Sequence, residues 1–223
     1  MESDQIKRLV LTLVTMVLSL SVHEFAHAWM ATRLGDDTPD QEERLTLAPQ
    51  AHIDILGTLI LPAVSVLTGG FAFFGWAKPV NFNPSRFRRG IDMHRGSALV
   101  AASGPLSNLI LAVLSMGLYV ALLRLGVLGS HAAPGGTAEA MKVFLIAMFT
   151  TNVGLCVFNL LPIPPLDGHH LLPRSLGSVV ESIRPFSFML LLVVMMVPAL
   201  RMTLLEWPMG VLRSGILSLF GVG

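Results

Sequence analysis

His23-Glu24-Phe25-Ala26-His27 puts two imidazoles four residues apart with a carboxylate beside the first. On a helix, residues at that spacing lie one above the other on one face. Both rings can then reach a single ion at about 2.0–2.1 Å, the distance zinc takes from nitrogen. Glu24 is too far round the helix to be an equivalent ligand, yet near enough to hold a water and take its proton. A plainer reading is a polar helix end whose histidines only bond backbone carbonyls. It leaves unexplained why Glu24 stands in an apolar run.

A catalytic zinc takes three protein ligands and keeps one position open. An extended motif would need histidine at position 33, where Arg33 stands. Glu42 and Glu43 follow, but among Asp36, Asp37, Asp40 and Arg44 they read as a solvated loop. His52 and Asp54 enter a broken apolar segment together, either as a supporting pair or as a helix cap. Asp167 is the stronger candidate, at the end of Asn159-Leu160-Leu161-Pro162-Ile163-Pro164-Pro165-Leu166-Asp167-Gly168. Its three prolines bar a regular helix. Unwound chain at membrane depth must line a cavity or be buried in protein. Gly168 lets the backbone turn sharply there, and the carbonyls left free suit pairing with an extended peptide. His169 and His170 come next and read as non-ligands, because three donors exist without them.

These residues sit in a chain built for lipid. Of 223 residues, 53% are hydrophobic and 13% charged, with a net charge of +1 and a mean hydropathy of +0.69. Soluble domains carry about 25% charge. The shortfall excludes an ordinary cytosolic enzyme and a disordered chain. The near-zero net charge excludes a nucleic-acid binder driven by phosphate neutralisation. A single cysteine, Cys156, excludes a disulfide scaffold and a cysteine-rich zinc module. A span needs roughly 20 apolar residues. The pattern predicts an all-α integral membrane protein, one domain over 1–223, with about 4–6 transmembrane helices. The expected elements are a metal helix over 6–34, helices near 97–123, 143–161 and 185–204, and a short helix over 207–220. The apolar stretch 53–80, broken by Pro62, Gly69 and Gly70, is expected to be re-entrant or a β-hairpin. Lys78, Arg86, Arg88, Arg89 and Arg95 put the loop after it on the cytoplasmic side, and Asp167 near the same face. The loop around His131–Gly136 then lies outside.

HExxH in a first long hydrophobic helix, Gly104-Pro105-Leu106-Ser107-Asn108 in a later one, and N-x-x-P-x-P-x-L-D-G near the C-terminal third together resemble the site-2 protease family of intramembrane zinc metalloproteases. The likeness covers roughly residues 9–172 and points to the compact bacterial branch, with no PDZ or CBS module in these residues. It implies one zinc per chain held by His23, His27 and Asp167, Glu24 as general base, and Asn159 binding substrate or the oxyanion. Residues 70–80, GFAFFGWAKPV, resemble the family's membrane-associated hairpin or loop. The implied function is hydrolysis of peptide bonds in membrane-spanning substrates (regulated intramembrane proteolysis) at the plasma membrane, near its cytoplasmic side. His23 then meets Asp167 only if the N-terminus is outside and 53–77 is re-entrant. The partners are a transmembrane substrate and the bilayer, without nucleic acid, and homo-oligomerisation is left open. Two alternatives compete. A divalent-metal or proton-coupled carrier would use the same residues, but carriers usually show duplicated halves and this chain shows none. An idle scaffold of the same fold sits poorly with intact HE and LDG. Asn108 reads equally as glue between helices and as a participant in catalysis.

Overall fold

The computed structural model describes residues 2–68, 75–128 and 136–222, apart from the side chains of residues 2–4. Every regular element among them is helical, as the composition predicts. Parts of two expected features, residues 69–74 of the hairpin region and 129–135 of the outer loop with His131, lie outside the described residues.

The first helix, α1 (Glu2–Leu34), is closed by Gly35 at φ +108°. The amide of Asp36 reaches back to the carbonyl of Ala31, and that of Gly35 to Thr32. These bonds satisfy carbonyls that a helix end otherwise leaves open. A short turn, α2 (Thr38–Gln41), follows, then a π-helical stretch Ile55–Ile60 running into α3 (Leu61–Leu67). The long helices α4 (Met93–Arg124) and α5 (Thr137–Asn159) pack against α1 and each other as the centre of the bundle. The C-terminal part is α6 (Gly177–Ile183), α7 (Ser187–Met196), α8 (Pro198–Arg201) and α9 (Trp207–Leu219).

Among the described residues four stretches are long and apolar enough to cross a membrane: Gln5–Leu34, Met93–Arg124, Thr137–Asn159 and Arg174–Met196. Their outer surfaces are apolar too. Ile6, Val10, Val14 and Leu18 of α1, and Ile110, Leu114 and Leu118 of α4, are exposed at four-residue spacing. A water-facing helix would carry polar groups there. The chain is a multi-pass membrane bundle.

The inner face of α4 explains how its backbone comes close to α1. Gly96, Val100, Gly104, Asn108 and Ala112 recur every four residues and are all buried. Small side chains in such a row let helices approach closely in lipid. Residues 53–77 begin and end at one place, since the amide of Lys78 donates to the carbonyl of His52 at 2.8 Å. Asp54 caps the intervening helix by accepting from the amide of Gly57 at 2.7 Å. The end of α1 joins this side of the bundle through the amide of Arg88, which donates to Leu34.

Not all the charges of 36–44 are solvated. Asp36 is buried, accepting from Thr38 and from the amide of Asn83 at 2.6 Å. Arg44 is buried as well, donating to the carbonyls of Ala51, Lys78 and Pro79. Together they fasten residues 78–83 over the end of α1. In the C-terminal part, the helical path breaks at Val197, whose backbone is extended ahead of Pro198. Beyond the break, α9 packs on α5 and α4 with Ile216 in the core. Arg124, at the last turn of α4, donates to the carbonyl of Phe220 at 2.9 Å.

Candidate metal centre

His23 and His27 lie within the last three turns of α1, about 16 and 10 Å from its end at Leu34 by helical rise. Their Nε2 atoms are 3.0 Å apart. Asp167, from the 3₁₀ turn Asp167–Leu171, meets both: Oδ2 is 3.2 Å from His23 Nε2 and Oδ1 is 3.3 Å from His27 Nε2. Four donors arranged tetrahedrally at about 2.0–2.1 Å from an ion stand roughly 3.3 Å from one another, so the spacing suits one zinc.

The proton inventory also calls for a cation. His27 Nδ1 lies 2.7 Å from the carbonyl of Val100, which can only accept, so Nδ1 carries the hydrogen. His23 Nδ1 lies 2.6 Å from Oδ1 of Asn108. With both rings neutral, as metal ligands are, each Nε2 presents a lone pair toward the carboxylate. Asp167 Oδ2 is buried with no hydrogen-bond partner. In that state the three donors suit a cation between them. No other group of three or more potential ligands converges in this way among the described residues.

The chain makes room for this cluster at two glycines. A Cβ on Gly104 would lie 2.4 Å from His27 Nε2 and 2.6 Å from His23 Cε1. The rings occupy that space instead. A Cβ on Gly168 would lie 2.3 Å from the carbonyl oxygen of Leu160. Gly168 is not in the left-handed region, so close contact with the end of α5, rather than a sharp turn, excludes a side chain beside Asp167. Gly104→Ala gains about 1 kcal/mol of helix propensity, yet it is expected to displace both rings. Zinc content of the purified variant should fall sharply. Full occupancy would show that the rings do not need this space.

The candidate zinc metalloprotease YwhC of Bacillus subtilis is 34% identical over 212 residues, covering 93% of this chain and 89% of YwhC. The chain belongs to the site-2 protease family. Residues 125–202 match the model described as Peptidase family M50. Two further family members carry the name Rip2, again as candidate zinc metalloproteases. The one from Mycolicibacterium smegmatis is 31% identical over 196 residues, with 86% of this chain and 68% of the relative covered. That of Mycobacterium tuberculosis strain H37Rv is 32% identical over 197 residues, with the same coverage. No solved structure is significantly similar to the chain.

In this family member a cavity of about 320 Å³ opens beside the cluster. Glu24, Asn159, Val80 and His170 line it along with the three candidate ligands. Glu24 Oε2 accepts from the amide of Val80 at 3.0 Å, which fixes one carboxylate oxygen and leaves the other for proton transfer. Asn159 uses one amide hydrogen on the carbonyl of Leu155 at 3.1 Å and retains another for the cavity. Burial, and then His169 beside it, push the His170 imidazole down to about 4, so His170 faces the cavity uncharged near neutral pH. Neither His169 nor His170 joins the converging group. His52 and Asp54 are remote from it, spent on Thr46 and on the cap of the π-helical stretch. Glu42 accepts from Asn81 at the surface. His94 lines a second cavity of about 460 Å³ and bonds the carbonyl of Leu172 at 3.0 Å rather than standing free in solvent. Cys156 is a buried packing residue of α5.

Proposed function

We propose that the chain hydrolyses peptide bonds of membrane-spanning substrates inside the bilayer. One zinc is held by His23, His27 and Asp167, Glu24 is the base, and Asn159 holds the substrate or the developing oxyanion. The observation that carries this is the meeting of two imidazole lone pairs and a carboxylate beside Glu24, in a cavity roughly 10–16 Å along α1 from its end. Ionisable groups at such depth cost several kcal/mol and mark function by default.

Bound zinc supplies Lewis acidity, polarising the scissile carbonyl and making water easier to deprotonate. Glu24 takes the proton of the attacking water on the oxygen that Val80 leaves unused, and returns it to the departing amide nitrogen. Asn159 presents its remaining amide hydrogen to the carbonyl oxygen as charge builds there. The phenyl ring of Phe82 and the indole of Trp76, with Leu20, give the cavity an apolar wall.

In the proposed topology the basic loop holding Lys78, Arg86, Arg88, Arg89 and Arg95 is cytoplasmic. The bond between Lys78 and His52 supports a re-entrant 53–77, and the tie from Arg88 to Leu34 supports an N-terminus on the side opposite the basic loop; the membrane in this reading is the plasma membrane. A cysteine placed at Ser3 is expected to react with an impermeant reagent added from outside; labelling from the cytoplasm alone would overturn this arrangement. The function is tested by reconstituting the protein with a single-span substrate and identifying products by mass spectrometry. Cut ends inside the apolar segment, lost with a chelator and restored by zinc, are expected. Cleavage confined to soluble loops would refute an intramembrane activity.

A further inference from the structure

The hydrogen bond that sets the tautomer of His23 belongs to a chain of side chains running through all three central helices. Asn108 on α4 and Asn152 on α5 are fully buried, as is Ser19, one turn before His23 on α1. Asn108 Oδ1 accepts from His23 Nδ1 at 2.6 Å. The two amide hydrogens of Asn108 go to Oδ1 of Asn152 at 2.8 Å and to the carbonyl of Ser19 at 3.3 Å. Those of Asn152 go to Oγ of Ser19 at 2.9 Å and to the carbonyl of Met148 at 2.8 Å.

Four amide hydrogens have four acceptors, so neither amide can rotate by half a turn without stranding a buried donor. Stranding a buried polar group is costly, more so where no water can replace the partner. The orientation is therefore imposed from Met148 and Ser19 outward: Asn152 must offer oxygen to Asn108, and Asn108 must offer oxygen to His23. His23 is left with its hydrogen on Nδ1 and its lone pair on Nε2, facing Asp167. We propose that Asn108, Asn152 and Ser19 are positioning residues that present His23 to the metal in its ligating tautomer. This goes beyond the assignment of His23 as a ligand and rests on it. Asn108 acts directly on the ring, Asn152 orients Asn108, and Ser19 anchors Asn152.

The test is zinc affinity of the full-length purified protein, measured by competition with a chelator and independent of peptidase activity. Asn108→Leu removes the acceptor at similar size and is expected to weaken zinc binding about 10–100-fold, the cost typical of losing a partner behind a metal-bound histidine. Asn152→Leu leaves Asn108 in place but unoriented, and a smaller loss is expected. Asn108→Asp disturbs the contacts with Asn152 and Ser19 but keeps an acceptor for His23, so its affinity should stay within about threefold of the parent. Ser115→Ala, at another buried polar position on α4, should change nothing. The relay is overturned if Asn108→Leu binds zinc as tightly as the parent, or if Asn108→Asp binds as weakly as Asn108→Leu. His23→Ala separates the two levels. If it keeps zinc, the ligand assignment itself is wrong; if it loses zinc while Asn108→Leu does not, only the relay is wrong.

Discussion

Glu24→Gln is expected to retain the fold and the full zinc content while turnover falls at least about 10²–10⁴-fold, the range that one acid–base group contributes. The substitution keeps the shape of the side chain, and its amide oxygen can still accept from Val80, as Glu24 does at 3.0 Å. Only proton acceptance is lost. Uncut substrate should therefore accumulate on the variant and co-purify with it. Peptide release is followed by mass spectrometry, and zinc by elemental analysis of the same preparation. Near-normal cleavage by Glu24→Gln would remove Glu24 as the base. Loss of zinc together with activity would make it a ligand instead.

Asp167→Ala and His23→Ala should behave differently, losing metal and activity together. Each removes one of three donors standing 3.0–3.3 Å from one another. In Asp167→Ala the two neutral rings would have no anion to share the ion with. The drop in zinc affinity should exceed the about 10–100-fold that a lost supporting hydrogen bond costs. Glu43→Ala and His170→Ala should keep zinc, since neither residue joins the converging group. Asn159→Ala should also keep zinc and cleave slowly. A protein that holds zinc fully without Asp167 would require a different third ligand.

What could be foreseen from residue order follows physical range. His23 and His27 meet because four residues nearly complete a helical turn, a local rule that needs no tertiary knowledge. Asp167 was legible through its prolines, which forbid helix where a membrane permits little else. Asp36 and Arg44 were not, because charges clustered after a helix look like a solvated loop. Their burial comes from contacts with residues 78–83, some forty positions further on. Asn152 gave no signal at all, since an asparagine in an apolar helix declares nothing until Asn108 and Ser19 are beside it. Gly168 was readable as a glycine that matters, but for the wrong reason: its conformation is ordinary, and the end of α5 takes the space of a side chain. The break at Val197 is local, since a residue before proline disfavours helix, but the return of α9 to the core through Ile216 depends on packing against α4 and α5 that the hydropathy of 185–220 does not encode.

The most direct test is an anomalous difference map at the zinc edge from crystals of the zinc-loaded protein. A single peak per chain is expected between His23 Nε2, His27 Nε2 and Asp167, within about 2.0–2.2 Å of each donor. A zinc-loaded crystal with that position empty, or with its peak at His169, His170 or the carboxylates of 36–43 instead, would contradict it.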